Sequence, residues 1–130
     1  MIKYFAGIDV QINRGCCYYI LNEDKKHVIS GWEKENIPQS LKNLFLKLTG
    51  NQLQTIAMGI DAPRMPIKKL RTRYFDKKEN VWNEKPQKSN GREGEVIIKS
   101  YNLANPQWTK TYSKSPEWMR LGFRIFSKLK

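Results

Sequence analysis

The chain has 130 residues, of which 24 are Lys or Arg and 12 are Asp or Glu, so its formal net charge is +12. This length suits one globular domain with a single core, and no apolar run approaches the roughly 18 residues that a membrane span needs. The N-terminus also lacks the basic and then apolar layout of a secretion signal, so we expect a cytoplasmic protein without a membrane partner.

The two cysteines, Cys16 and Cys17, are neighbours in the chain. Adjacent cysteines are poorly placed to form a disulfide with each other, and they lack the spacing of a zinc site. Disulfide scaffolds and zinc ribbons are therefore excluded.

The charge is unevenly distributed. Residues 1–63 carry seven basic and six acidic side chains, whereas the remainder carries a net charge of +11. Such a basic half suits an anionic polymer, because each phosphate that Lys or Arg neutralises releases a counterion. A Lys-rich surface that only keeps the protein soluble accounts for the same charge. Charge alone leaves both interpretations open.

The first third of the chain predicts three strands. Residues 3–10 form a nearly continuous apolar run that contains Asp9, a pattern typical of a strand buried on both faces. Residues 16–21 and 27–32 are rich in aromatic and aliphatic side chains, and turn-forming residues separate them. The short connections predict an antiparallel meander.

A helix and a fourth strand follow. Asn36 and Pro38 are typical of a helix start, and Gly50 of a helix end. The apolar residues between them recur at helical spacing: Leu41, Leu44, Phe45 and Leu48. Residues 55–61 form a second buried-type strand, which also ends on an aspartate, Asp61.

From residue 64 to residue 90 the apolar pattern is lost among Lys, Arg, Asn and Pro, which predicts a long, irregular, basic excursion within the domain. Tyr74, Phe75 and Trp82 stand among these charges. They are candidates either to stack on unpaired bases or to pin the loop to the core.

Two more helices are predicted. One covers residues 92–101, and the other begins at Ser115-Pro116-Glu117, where a capping residue, a proline and an acid follow one another. Trp118 and Phe126 of this last helix are predicted to be core residues, or a homodimer contact if nothing else covers them.

The two strand-ending aspartates are the main functional signal. A meander followed by a right-handed crossover makes the fourth strand parallel to the first, so Asp9 and Asp61 lie at the same edge of the sheet. In strand order 3-2-1-4 they are about 4.8 Å apart and could share an ion, whereas in order 1-2-3-4 the gap is about 14 Å. The residue pattern does not choose between these orders.

A buried carboxylate is costly to ionise unless a cation is near, and Mg²⁺ or Mn²⁺ prefers carboxylate oxygens. Metal ions held in this way beside a basic segment can promote hydrolysis of a phosphodiester. We therefore predict that Asp9 and Asp61 are catalytic metal ligands. The alternative is that each aspartate only begins a turn.

The residues around these aspartates resemble a known family. Gly7-Ile8-Asp9-Val10 and Gly59-Ile60-Asp61-Ala62-Pro63-Arg64 are similar to the ribonuclease-H-like superfamily, and more narrowly to domain of unknown function 429, a branch of predicted nucleases. Residues 91–96, 104–109, and 116–119 with Gly122-Phe123 are similar to that branch too. The resemblance implies an α/β fold with a mixed sheet of order 3-2-1-4 and helices packed on it.

The resemblance also suggests further site residues. Arg92 and Glu95 match an Arg-x-Cys-acid motif, with Gly94 in place of the Cys, and this implies that Glu95 is a third catalytic carboxylate. Family members continue beyond the helix that ends here at Lys130, so residues 1–130 resemble a single, incomplete domain.

The arginines predicted to hold phosphates are Arg64, Arg71, Arg73 and Arg92.

Three other interpretations stay open. The chain could be a catalytically inactive module that binds nucleic acid, or a truncated remnant of a nuclease. Gly-Ile-Asp also opens actin-like ATPases and sugar kinases, but these continue with Gly and Ser or Thr to hold phosphate. Here Val10-Gln11-Ile12-Asn13 follows, which disfavours nucleotide binding.

Overall fold

The first four strands form one mixed sheet. In this computed structural model, which describes all of residues 1–130, they are β1 (Tyr4–Asp9), β2 (Cys16–Asn22), β3 (His27–Glu33) and β4 (Ile56–Asp61). Their order is β3-β2-β1-β4, with β1 antiparallel to β2 and parallel to β4. The α/β class and the order 3-2-1-4 are thus confirmed.

The chain forms three α-helices, α1 (Ile37–Thr49), α2 (Glu93–Ser100) and α3 (Glu117–Lys128), and two 3₁₀ turns at Leu53–Thr55 and Tyr112–Lys114. Helix α1 ends as predicted, because Gly50 adopts the left-handed conformation and its N–H donates to the Leu46 carbonyl. Helix α3 begins after Pro116, one residue later than predicted. None of the three helices has the length and apolar character that a bilayer crossing requires.

The core lies on one face of the sheet. Helices α1 and α3 contribute Leu41, Phe45 and Ile125, which are fully buried against Ile8 and Ile20 of the strands. Burying a side chain of this size stabilises the fold by about 1.5–3 kcal/mol. Trp118 and Phe126 of α3 are only partly buried, and the homodimer through this helix stays a prediction.

The opposite face of the sheet is exposed. In β1, Ala6 and Ile8 point into the core, whereas Phe5, Gly7 and Asp9 point away from it and are exposed. The prediction that β1 is buried on both faces is therefore wrong. Its apolar run looked continuous because an aromatic residue and a glycine occupy the outward positions, where a polar residue would be expected.

The chain divides into two compact units. Unit 1 contains Met1–Met65 and Pro116–Lys130, and unit 2 contains Pro66–Ser115. Unit 1 holds the sheet and core described above. That residues 1–130 form a single, incomplete domain stays a prediction.

The segment predicted to be an irregular excursion, residues 64–90, contains two regular strands in unit 2. Strands β5 (Arg71–Asp76) and β6 (Val81–Ser89) form an antiparallel hairpin. The Asp76 carboxylate accepts the N–H groups of Lys78 at 2.9 Å and Glu79 at 3.2 Å, and Asn80 adopts a positive φ of 55°. These interactions are typical of a turn. The turn was not predicted because its residues lie within a run of charged residues. Pro86 is tolerated because it lies in the irregular stretch between Glu84 and Ser89, where the register shifts and it has no paired residue.

An aromatic cluster joins the hairpin to α2. The ring of Phe75 lies 5.3 Å from that of Trp82 and 6.0 Å from that of Tyr101, between centroids. Of the two roles predicted for these aromatics, Phe75 and Trp82 have a packing role within unit 2, whereas Tyr74 is exposed.

Candidate functional site

Asp9 and Asp61 meet at the edge of the sheet. Each is the last residue of its strand, and the parallel register pairs them directly. Paired residues on neighbouring strands lie about 4.8 Å apart and point to the same face. The two carboxylates are therefore neighbours on the exposed face, as the order 3-2-1-4 requires.

Both aspartates are exposed, which changes the reason to expect a cation. The sequence suggested burial, with a cation offsetting the cost of desolvation. Exposure removes that cost. What remains is the repulsion between two like charges held at adjacent positions, which a divalent cation between them would relieve.

Local structure fixes the Asp9 carboxylate and the backbone that follows Asp61. Gln11 donates a side-chain hydrogen bond from Nε2 to Oδ2 of Asp9. After Asp61 the chain turns at once, because the Ala62 N–H donates to the Ile60 carbonyl at 2.9 Å. Gln11 was not among the predicted site residues, although an amide two residues beyond a strand-ending aspartate is a usable signal.

A glycine-floored hollow adjoins the carboxylates. Gly7 and Gly59 are register partners one step along the face from Asp9 and Asp61, and both glycines are exposed. No atom lies within 4 Å of the position that a Cβ of Gly7 would occupy. Together with Tyr19 these residues line an open hollow of about 520 Å³. A substrate group can therefore approach the carboxylates along the sheet.

Glu95 lies in unit 2, in the first turn of α2. Its Oε2 accepts the backbone N–H groups of Arg92 at 3.0 Å and Thr109 at 2.9 Å, and its Oε1 accepts the Thr109 hydroxyl. Thr109 is fully buried. These bonds cap α2 and attach it to the segment that follows, which gives Glu95 a structural role. Its role as a third catalytic carboxylate stays a prediction.

No set of three or more His, Cys, Asp or Glu side chains is positioned to hold one metal ion. The donors that are present nevertheless suit Mg²⁺ or Mn²⁺. Mg²⁺ typically keeps several water ligands and binds through one or two carboxylates together with substrate phosphates. Asp9 and Asp61, exposed and adjacent, offer such a pair of hard oxygen donors.

Three of the four predicted phosphate-binding arginines converge in unit 2. Arg71, Arg73 and Arg92, together with Lys69, line an open hollow of about 450 Å³, which we call the basic hollow. Arg64 is exposed in unit 1, three residues after Asp61.

The arginines of the basic hollow are partly engaged. Arg73 pairs with Glu93 at 2.6 Å, and both side chains are about half exposed. Arg71 donates to the carbonyls of Arg73 and Asn90, while its Nε is buried without a hydrogen-bond partner. The Arg71 guanidinium is thus oriented by the backbone and keeps one N–H without an acceptor.

Comparisons of the chain with protein-family models, with curated proteins and with solved structures return no match. The resemblance to the ribonuclease-H-like superfamily therefore rests on the residues quoted for it.

Proposed function

We propose that this protein is a metal-dependent nuclease of the ribonuclease-H-like superfamily, in the branch of domain of unknown function 429. Asp9 and Asp61 hold Mg²⁺ or Mn²⁺, and the substrate is a nucleic acid. The observation that carries the proposal is the direct pairing of Asp9 with Asp61 on the exposed face of parallel strands.

The bound metal would supply Lewis acidity and lower the pKa of a coordinated water. The chain's own residues would do the rest. Gln11 holds Oδ2 of Asp9 and so orients that carboxylate. Arg64, exposed just beyond Asp61, would neutralise a phosphate of the bound strand.

Unit 2 supports the choice of a polyanionic substrate. It contains 12 basic and five acidic residues, a net charge of +7, and three of its arginines line the basic hollow. Such a surface binds phosphate backbones without regard to base sequence.

The direct test is cleavage. Single-stranded, duplex, hybrid and junction substrates are incubated with the protein and Mn²⁺, with and without EDTA. Wild type and the matched control Asp24→Asn, which changes an exposed aspartate in the β2–β3 turn, are expected to cleave one of them, whereas Asp9→Asn is not. Cleavage by Asp9→Asn at the wild-type rate would overturn the proposal.

The basic hollow favours a second candidate, a catalytically inactive module that binds nucleic acid. Its binding would weaken steeply with salt, persist in EDTA and be indifferent to Asp9→Asn, whereas Arg71→Ala would reduce it. Binding of this kind without cleavage would replace the first proposal by the second.

A further inference from the structure

The exposed face of the sheet carries aromatic rings. We call it the open face, since helices α1 and α3 cover only the other one. Phe5 is 45% exposed, Tyr19 52% and Trp32 48%. Large rings at this level of exposure on three neighbouring strands form an apolar patch, of a kind that marks binding surfaces.

The strand register brings Trp32 into line with the carboxylates. Trp32 pairs with Cys17, Cys17 with Asp9, and Asp9 with Asp61. At about 4.8 Å per strand, the Trp32 backbone lies about 10 Å from that of Asp9. Because paired residues share a face, the Trp32 ring and the two carboxylates stand on the same surface.

Tyr19 occupies the adjacent row of the open face. It pairs with Gly7, which pairs in turn with Gly59, so its ring stands beside the glycine-floored hollow. The His27 ring lies 4.7 Å from the Tyr19 ring, between centroids, and supports it. A flat surface floored by two glycines and bordered by an aromatic ring suits a planar ligand group.

The surroundings of Trp32 are cationic. Trp32 lines an open hollow of about 470 Å³ with Asn13, Arg14 and Lys34, and no acidic side chain lines it. Arg14 and Lys34 are exposed, and neither forms an ion pair. An aromatic ring that shares a hollow with two cations matches a ligand that alternates planar apolar groups with negative charges.

We infer that the open face binds single-stranded nucleic acid. Unpaired bases stack on Trp32 and Tyr19, while Arg14 and Lys34 neutralise the adjoining phosphates. A duplex is a poorer ligand, because its paired bases hide their faces from side chains. This inference deepens the proposed function. It rests on that function only for what happens to the strand after binding, when the strand would pass Asp9 and Asp61.

Binding is measured in EDTA, by the anisotropy of short labelled oligothymidylate and oligouridylate and of a labelled duplex. Trp32→Ala and Tyr19→Ala are each expected to weaken single-strand binding by about 5- to 150-fold, the effect of losing one stacked base. Trp32→Phe keeps a ring and should retain most of the affinity. Val28→Ala is the matched control, because it removes an exposed apolar side chain without a ring from the same strand.

The outcomes are distinct from those of the cleavage test. Undiminished single-strand binding by Trp32→Ala and Tyr19→Ala would overturn the inference, and so would an equal loss of duplex binding or a failure of wild type to bind single strands. Asp24→Asn, which changes an exposed aspartate in the β2–β3 turn, should bind oligothymidylate as wild type does. If Trp32→Ala loses single-strand binding but wild type cleaves no substrate, only the proposed hydrolysis is overturned. The inferred binding of single strands then stands.

Discussion

Asp9 and Asp61 are paired residue for residue on two parallel strands, although two strands and helix α1 separate them along the chain. This pairing depends on register, since a shift of β4 by one residue would move Asp61 to the core face. Two negative charges at adjacent positions repel each other, and a cation bound between them would relieve that repulsion.

Mn²⁺ should therefore raise the melting temperature of the protein. A ligand that binds only the folded state stabilises it in proportion to the logarithm of its concentration above Kd. We expect the shift in wild type and in the control Asp24→Asn, and its loss in Asp61→Asn, when melting is followed by circular dichroism. A shift of the same size in Asp61→Asn would place the metal elsewhere.

Gly122→Ala should destabilise unit 1 by about 1–3 kcal/mol. A Cβ at Gly122, on α3, would overlap the Cβ of Ala62, the residue directly after Asp61. The overlap outweighs the gain of about 1 kcal/mol that alanine brings to a helix interior. Urea denaturation measures the change in the free energy of unfolding.

Gly94→Ala is the matched control for this change. Gly94 lies in α2, and no atom lies within 4 Å of the position of its Cβ. Here only helix propensity operates, and we expect a gain of about 0.5–1 kcal/mol. If both variants change the free energy of unfolding in the same direction, close packing around Gly122 does not determine the effect of Gly122→Ala.

Glu95→Gln should lower the free energy of unfolding by about 1–3 kcal/mol, even in EDTA. The variant keeps one oxygen acceptor where the carboxylate serves two backbone N–H groups and the buried Thr109 hydroxyl. Glu93→Gln, which loses only a half-exposed pair with Arg73, should cost under about 1 kcal/mol. Unchanged stability of Glu95→Gln in EDTA, together with weaker Mn²⁺ binding, would instead support a role as metal ligand.

Local patterns account for much of the fold. The apolar spacing from Leu41 to Leu48 and the signals at Pro38 and Gly50 were sufficient for α1, because these interactions act within a few residues. Strand order is a long-range property. Residue patterns left two orders open, and the family resemblance implied the one that the structure confirms.

Other features of the structure depended on contacts that a sequence does not display. The β5–β6 hairpin was missed because Pro86 and a run of charges outweighed the turn chemistry of Asp76. The alignment of Trp32 with Asp9 was beyond prediction, because the β2–β3 register shifts between Ile20 and Leu21. Pairings across an irregular register are set by packing rather than by spacing.

Alkaline pH should destabilise the protein through Cys16. This residue faces the core, and burial raises the pKa of its thiol above the ordinary 9.0. The folded state therefore keeps the thiol proton after the unfolded state has lost it, so stability falls as the pH rises through 9.0. Burial also raises the pKa of Tyr18, from an ordinary value of 10.0, so the cysteine contribution is best read as a difference between variants. In urea denaturation at a series of pH values, Cys16→Val should lose stability less steeply than wild type above pH 9.0. Parallel curves for wild type and Cys16→Val would show that the buried thiol does not contribute.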